Sequence, residues 1–467
     1  MHHVLLMLLL SVPVQALADQ YHYSNVLIGD RAIGLGGAFV GVSDDASGVF
    51  YNPAGLAFAL SNDISGSANA LYSRTVTYKG TIAGKDFVEE SGGSLPSFFG
   101  GLNKLDHIEK GLVFAFGIMT LDGEQKEQND LIKENEAQVL SSRTCDDGTS
   151  GSNLLHRYHR VVNQKATTSL YAAGAGYRIS NNFSLGFGLN YYGIDELTQV
   201  YQDVSQSESC TNNYTRRALN VRESLSAMAI QPVFGAQYVF GDVALGLTAK
   251  IGGAYVSQLY DVATEGLNLQ LVSADNTSVE EANGGMIPTK STAGIQRTLI
   301  ESESSNPLGS KYPDELRAGV AWFGSTRLLV TTDVILTTAS KGEKEGVFAA
   351  VQDGGAAKDR YYYERNQVLN AAAGMEYYVV PAVPVRVGIF TNNDARPEVS
   401  EQYAGQNDHV DYSGASLFAS WVQPNSQIGA GVVFQQGSGK AQKLGDSVIQ
   451  DIEAVSSTFA FSATHSF

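Results

Sequence analysis

Short runs in which apolar and polar residues alternate recur along most of this chain. At the C-terminus Ser457, Phe459, Phe461, Ala463, His465 and Phe467 fall on one face of an extended segment, with small polar or small residues between them. Segments of similar size alternate upstream, as in Leu316-Arg317-Ala318-Gly319-Val320 and Val385-Arg386-Val387-Gly388-Ile389. A period of two is the signature of a strand whose two faces meet different surroundings. Counting such runs between turn signals predicts about fourteen strands. They fall near 64–79, 94–101, 111–121, 165–179, 182–199, 221–240, 243–260, 314–323, 327–338, 359–380, 384–392, 411–423, 427–437 and 455–467.

The connections sort into two kinds. Gly241-Asp242, Gly324-Ser325, Pro381 to Pro384 and Pro424-Asn425-Ser426 are short, whereas 122–164, 200–220, 262–312 and 339–358 are long. Short and long alternate, as they do when one end of a barrel carries tight turns and the other carries surface loops. A soluble sandwich has no reason to alternate in this way.

Composition changes the picture by deciding what lies outside the strands. The chain has 467 residues, with 49 Gly, 23 Tyr, 20 Phe and only 2 Trp. Mean hydropathy is -0.10, and no stretch after the first residues is long and apolar enough for a membrane helix. A membrane barrel hides its apolar residues at every second position, so its average hydropathy resembles that of a soluble protein. The fold class expected is all-β, an antiparallel transmembrane β-barrel of about fourteen strands. Parity then places charges. If Leu316, Ala318, Val320 and Trp322 face lipid, Arg317 points inward, and by the same argument so do Arg386 and Lys250. These three are candidate contacts for a substrate carboxylate. The alternative is pairing with a carboxylate inside the barrel, such as Asp333 or Glu376.

The N-terminus reads as a signal peptide over 1–18. Val4 to Leu10 is an apolar run, Pro13 follows, and Ala16-Leu17-Ala18 has the small-x-small form of a cleavage site, although the n-region holds His2 and His3 and no Lys or Arg. Next comes GDRAIGLGGAFVGVSDDASGVFYNPAGLA, residues 29–57, with turns at Gly34, Gly36 and Gly37 and a rigid step at Asn52-Pro53-Ala54. Glycine permits positive φ, while proline fixes φ and removes a donor. This string resembles the N-terminal plug of the FadL/TodX family of outer-membrane transporters for fatty acids and hydrocarbons. Looser likenesses occur in SLPSFFGGLNKLDHIEKGLVFAFGIMTLDG at 94–123, YPDELRAGVAWF at 312–323 and VPVRVGIFTNNDARPE at 383–398. The chain departs from the family at Leu121-Asp122-Gly123, where a Pro-aromatic-Gly step is usual.

The resemblance implies a plug over 19–60 in the lumen of a barrel over 61–467. It also implies uptake of hydrophobic molecules, long-chain fatty acids first, by capture outside, passage into the lumen, a shift of the plug and sideways exit through the wall. Gly34, Gly36, Gly37, Asn52, Pro53 and Ala54 carry over as the plug motif. Rigid filling of the lumen is the alternative role for them. The terminal Phe467 matches the signal by which outer-membrane barrels are recognised, so the barrel assembly machinery is an expected partner. Outer-membrane lipid and lipopolysaccharide of a Gram-negative bacterium are its expected surroundings, and a monomer is the expected state, since a closed barrel has no free edge.

Cys145 and Cys210 fall in neighbouring long connections, and in an oxidising compartment a disulfide between them is expected. The net charge of -17 disfavours nucleic-acid binding. Acidic pairs such as Asp146-Asp147 and Glu280-Glu281 read as solvated loop faces that also meet divalent ions between lipopolysaccharide headgroups. No enzyme, cofactor or dedicated metal site is expected: His107, His156, His159 and His409 fall in connections without a nucleophile or orienting signature nearby. In GLGGAF, Phe39 stands where a nucleotide fingerprint needs its third glycine. Two other functions fit the same pattern, monoaromatic hydrocarbon uptake and a structural or shuttle barrel of a secretion system or surface adhesin. The long connection 262–312, rich in Ser, Asn and Glu, would serve the last.

Overall fold

The computed structural model describes residues 21–23, 26–82, 85–132, 138–145, 148–210, 213–273, 279–282, 285–288, 291–343, 363–400, 408–442 and 449–467. The expected signal peptide 1–18 and Asp146-Asp147 lie outside them, as do the side chains of Glu280 and Glu281.

Apart from two short ribbons, 279–282 with 285–288 and 340–341 with 364–365, the described strands form one closed antiparallel barrel of fourteen. In chain order these are β1 (Asp63–Ile82), β2 (Lys85–Lys104), β3 (Leu112–Ile132), β4 (Ser150–Arg178), β5 (Phe183–Glu208) and β6 (Asn213–Phe240). β7 runs over Val243–Lys250 and resumes over Ala254–Ser273, and β8 runs over Ser291–Ser304 and resumes over Glu315–Ser325. The set is completed by β9 (Leu328–Thr337), β10 (Val368–Val380), β11 (Val383–Asn392), β12 (His409–Gln423), β13 (Ser426–Ala441) and β14 (Gln450–Ser466). Each pairs with its sequence neighbour, and β14 closes on β1 from Asp63 opposite Ser466 to Tyr78 opposite Ile452. Closure leaves no edge strand to aggregate.

The alternation read from the sequence is the inside and outside of this wall. On β8 Leu316, Ala318, Val320 and Trp322 are exposed while Glu315, Arg317, Gly319 and Ala321 are buried. On β14 Val455, Ser457, Phe459 and Phe461 are exposed, and Ser456, Thr458 and Ala460 between them are buried. Exposed Leu185, Phe187, Leu189, Phe234, Leu247 and Trp421 continue the apolar outer face around the wall. Such a face over a whole circumference is stable only against hydrocarbon. No helix among the described residues is long and apolar enough to cross a membrane.

Strand lengths depart from expectation on one side. β4, β5 and β6 contain 29, 26 and 28 residues, against the 9–11 that cross a bilayer. At about 3.3 Å per residue, β4 alone is roughly 95 Å long. The connections expected over 122–164, 200–220 and 262–312 are largely strand, and His409 sits at the start of β12 and His156 and His159 in β4 rather than in loops. Their outward neighbours explain the miss: Arg157 and Arg216 reach Asp203 at 3.5 and 2.8 Å. Above the bilayer charged residues sit on both faces, Arg160 with Glu89 on the buried one and Arg157 and Arg216 with Asp203 on the other, and they blur the alternation of hydropathy that marks the strands below.

Candidate functional site

The N-terminal residues run along the buried face of the wall. Near the long-loop end His22 Nε2 lies 2.7 Å from the Val410 carbonyl, and Ala395 N donates to Tyr21 O at 3.1 Å. At the opposite end Phe467 N donates to Asn62 O at 3.1 Å. Between them lie α1 (Asp30–Gly34), α2 (Gly48–Tyr51) and a 3-10 turn (Gly55–Phe58). Helices this short do not persist alone in water, so the wall must hold them.

Much of that holding is hydrogen bonding from inward side chains to the segment's backbone. Asp333 accepts from Phe39 N and Val40 N at 2.7 and 2.8 Å. Thr248 Oγ1 donates to Tyr51 O, and Ser184 Oγ to Ala54 O, each at 2.8 Å. Ser416 Oγ donates to Gly34 O at 3.1 Å. Asn52, fully buried, donates through Nδ2 to Val40 O and Ala236 O at 3.0 and 3.2 Å and accepts from Ala54 N at 3.1 Å. Its amide thus ties two parts of the segment to β6. Pro53 follows with no N–H to satisfy. A side chain at Gly235 of β6 would strike Asn52 and the Ala54 nitrogen. Gly36 and Gly37 have φ of 66° and 86°, which suits glycine alone. Ile28, Leu35, Phe39, Val42 and Leu56 pack with wall residues such as Ala115, Leu170 and Leu329 in one apolar cluster.

The three inward cations are all buried and all engaged. Arg386 Nε meets Glu376 Oε2 at 2.5 Å, and its Nη1 reaches Asp30 and Ser420 at 3.3 and 2.7 Å. Arg386 therefore joins β10, β11 and α1 and does not line the cavity described next. Lys250 and Arg317 share Glu315, with closest approaches of 2.9 and 2.5 Å. The carboxylates proposed from sequence divide: Glu376 is a partner, whereas Asp333 serves the backbone. Glu315 was missed, although its place two residues before Arg317 on one strand face was a usable signal.

Lys250, Glu315 and Arg317 form part of the wall of a cavity of about 70 Å³, bounded by His22, Tyr23 and Phe50 on the N-terminal side and by Leu121, Tyr192 and Tyr312 on the barrel side. The Phe50 ring is faced by Lys250 Nζ at 3.9 Å and by the Arg317 guanidinium at 4.9 Å from its centroid. These cation–π contacts stabilise charges that burial would otherwise penalise.

Beside the cavity the wall changes. β2 pairs with β3 only from Lys104 opposite Val113 up to Phe98 opposite Met119. Beyond that point, among the described residues, β2 stays paired with β1 up to Lys85 and β3 with β4 up to Ile132, but not with each other. The β3–β4 register shifts between Thr120 and Asp122, leaving Leu121 as an extra residue. Such a bulge bends a strand and re-aims its side chains. The sequence departure at Leu121-Asp122-Gly123 falls at the start of this seam.

Cys145 and Cys210 are disulfide-bonded, with Cα atoms 5.3 Å apart, and tie the β3–β4 connection to the β5–β6 connection at the long-loop end. Phe467 is exposed at the other end. Outside the spanning strands, burial together with the adjacent Asp44 pushes the Asp45 carboxyl up to about 6.

No protein-family model matches the chain, and no curated protein matches its sequence. Solved structures do match its shape. A Pseudomonas aeruginosa FadL homologue superposes with a TM-score of 0.56 at 12% identity, over 96% of this chain and 100% of that one. The Pseudomonas putida toluene transporter TodX gives 0.55 at 11% identity, over 94% of this chain and 98% of that one. The Ralstonia pickettii toluene transporter TbuX gives 0.51 at 10%, over 95% of this chain and 99% of that one. The chain has the fold of the FadL- and TodX-type barrels over nearly its whole length.

Proposed function

We propose that this protein is an outer-membrane transporter that takes up hydrophobic molecules passively, with residues 19–60 as a plug in the barrel lumen. The observation that carries this reading is the adjacency of a lumen cavity, walled on one side by His22, Tyr23 and Phe50, to the point where β2 leaves β3. A solute that enters the cavity from the long-loop end then has a sideways route into the bilayer at Leu121, without crossing the packed lower half of the lumen. Apolar solutes favour that exit because hydrocarbon is where they partition.

The resemblance points first to long-chain fatty acids, and Lys250 and Arg317 beside the cavity suit a carboxylate head. The toluene transporters among the structural neighbours and the rings of Phe50, Tyr192 and Tyr312 suit monoaromatic hydrocarbons. A different reading, a platform for another protein in a secretion system or adhesin, draws on the tall β4–β6 wall.

Uptake of labelled oleate and toluene by cells lacking their own transporter of this class, with and without the chain, tests these readings. A variant with Asn52→Ala and Pro53→Ala belongs beside them. Chain-dependent uptake of either solute that changes in the assembled variant supports transport through a plugged barrel. A correctly inserted barrel that carries neither overturns it in favour of the protein-binding platform.

A further inference from the structure

Cations that face the lumen are paired with carboxylates at several levels of the barrel. Arg160 meets Glu89 at 3.2 Å, Arg386 is held by Glu376 and Asp30, and Lys250 and Arg317 share Glu315. Arg217, on the part of β6 above the bilayer, breaks this rule. Its Nε and Nη1 are buried without a hydrogen bond. Burial pushes its pKa down with no carboxylate near enough to offset the effect, yet a guanidinium stays protonated in proteins. Its chain neighbour Arg216 shows the ordinary arrangement, donating to Asp203 at 3.0 and 2.8 Å on the outer face. In a chain of net charge -17 carboxylates are plentiful, so an unpaired guanidinium turned to the lumen is a local exception. Such a group is normally completed by protein, water or ligand.

The surroundings of Arg217 are apolar. It stands directly opposite Val204 of β5, which stands directly opposite Tyr158 of β4. Val204 packs with Leu155, Tyr158 and Phe87 in a small cluster of its own. Four residues lower on the same three strands, Val162, Val200 and Val221 face one another across the ladders on the buried side. From Tyr158 down to Thr168 at the cavity is a further ten residues of β4, roughly 33 Å of strand. A solute entering from the long-loop end therefore passes Arg217 well before it reaches the cavity. One fixed positive charge beside an apolar surface complements a molecule with one anionic head and an apolar body. A hydrocarbon can use the apolar part alone.

We propose that Arg217 is a specificity-determining residue at the entrance of the lumen, capturing amphiphilic carboxylates by the head group while Val204, Tyr158, Leu155 and Phe87 take the adjoining apolar body. This rests on the uptake reading above and deepens it: acids enter through a charge-assisted step that hydrocarbons bypass. The guanidinium fork matches the two oxygens of a carboxylate. Lys250 and Arg317 offer a head group less, because Glu315 already engages both. Acids and hydrocarbons are thus told apart first at the entrance.

The test is initial uptake of labelled laurate and labelled toluene, below saturation, by cells that lack their own transporter of this class and produce the full-length chain. Arg217→Gln is expected to lower laurate uptake about tenfold, the worth of one hydrogen bond to a charged group. Toluene uptake and the heat-dependent gel mobility of the barrel should not change. Arg216→Gln, which removes the same charge from the outer face, is expected to leave both uptakes as they are. Should Arg217→Gln fail to assemble, Val204→Glu sets a counter-charge directly across from Arg217 and is expected to lower laurate uptake several-fold while sparing toluene. Laurate uptake that is unchanged in either assembled variant, lowered equally by Arg216→Gln, or absent in a parent that carries toluene overturns the capture role and leaves the uptake reading standing. An inserted parent barrel that moves neither solute overturns both.

Discussion

Arg386 on β11 and Glu376 on β10 stand directly opposite each other, and each also holds a residue of α1: Arg386 reaches Asp30 at 3.3 Å, and Glu376 receives Arg31 at 3.1 Å. Arg31 in turn meets Asp44 at 2.6 Å. The wall pair and the N-terminal pair exchange partners, so a shift of α1 must break bonds in both at once. Removing one member of a buried pair costs about 3–5 kcal/mol because the partner stays buried and unpaired. Arg386→Met is expected to lower the opening free energy of this segment by about that amount. Amide exchange at Ile33, Leu35 and Gly37, whose N–H groups bond within the segment, should accelerate while β12 to β14 keep their protection. Unchanged exchange at those amides would show that the cluster does not hold the segment.

Gly388 on β11 lies against Gly36 so closely that a Cβ would meet the backbone of Leu35 and Gly36. Neither side can yield cheaply, because Gly36 is itself in the left-handed region and β11 is paired on both sides. Gly388→Ala is expected to destabilise the seated segment by about 1–3 kcal/mol, the usual range for overpacking, while the barrel still assembles. Planar-bilayer conductance should rise above that of the parent protein. Parent-level conductance in an assembled variant would contradict tight seating at this point.

Asp45 gives the segment a pH dependence. Its Oδ1 accepts from Ser47 N and Oγ at 2.9 and 2.6 Å, yet burial and Asp44 raise the carboxyl to about 6 from the ordinary 3.8. Between those two values the folded segment binds more protons than the unfolded one, so its stability falls as pH rises from about 4 to 6 and then levels off. Asp45→Asn keeps the acceptor and removes the charge. Its stability is expected to be flat over this range and above the parent's at pH 7, read by amide exchange over 43–58 corrected for the intrinsic pH effect. A parent profile that is already flat would rule out the titration.

What was legible in the sequence follows from where the two faces of a strand differ. Leu316 to Trp322 and Val385 to Ile389 declared themselves because lipid lies on one side and a packed lumen on the other, and parity alone turned Arg317, Arg386 and Lys250 inward. Above the bilayer the contrast fades: Arg157 and His159 face out while Tyr158 and Arg160 are buried on the other face, so hydropathy hid half of β4. Partners were harder still. Glu315 stands two residues from Arg317 on one strand face, which the sequence shows, but its place opposite Lys250 in register is visible only once the strands are paired. The Asn52 contact with Ala236 spans 184 residues, and no local pattern encodes a bond of that separation.

Leu121 bears most directly on the proposed route. It is the extra residue where β3 shifts register against β4, it lines the cavity, and it lies just past the last pair that joins β3 to β2. If solute leaves through that seam, bulk at this position obstructs it without disturbing the ladders on either side. Leu121→Trp is expected to reduce uptake at least tenfold with no change in the amount of assembled barrel, and Leu121→Ala to keep or raise it. The pair separates obstruction from damage, since a merely disruptive site would respond in the same direction to both changes. Parent-level uptake by an assembled Leu121→Trp barrel would place the exit elsewhere, and the path along the packed lumen would then be the one to probe.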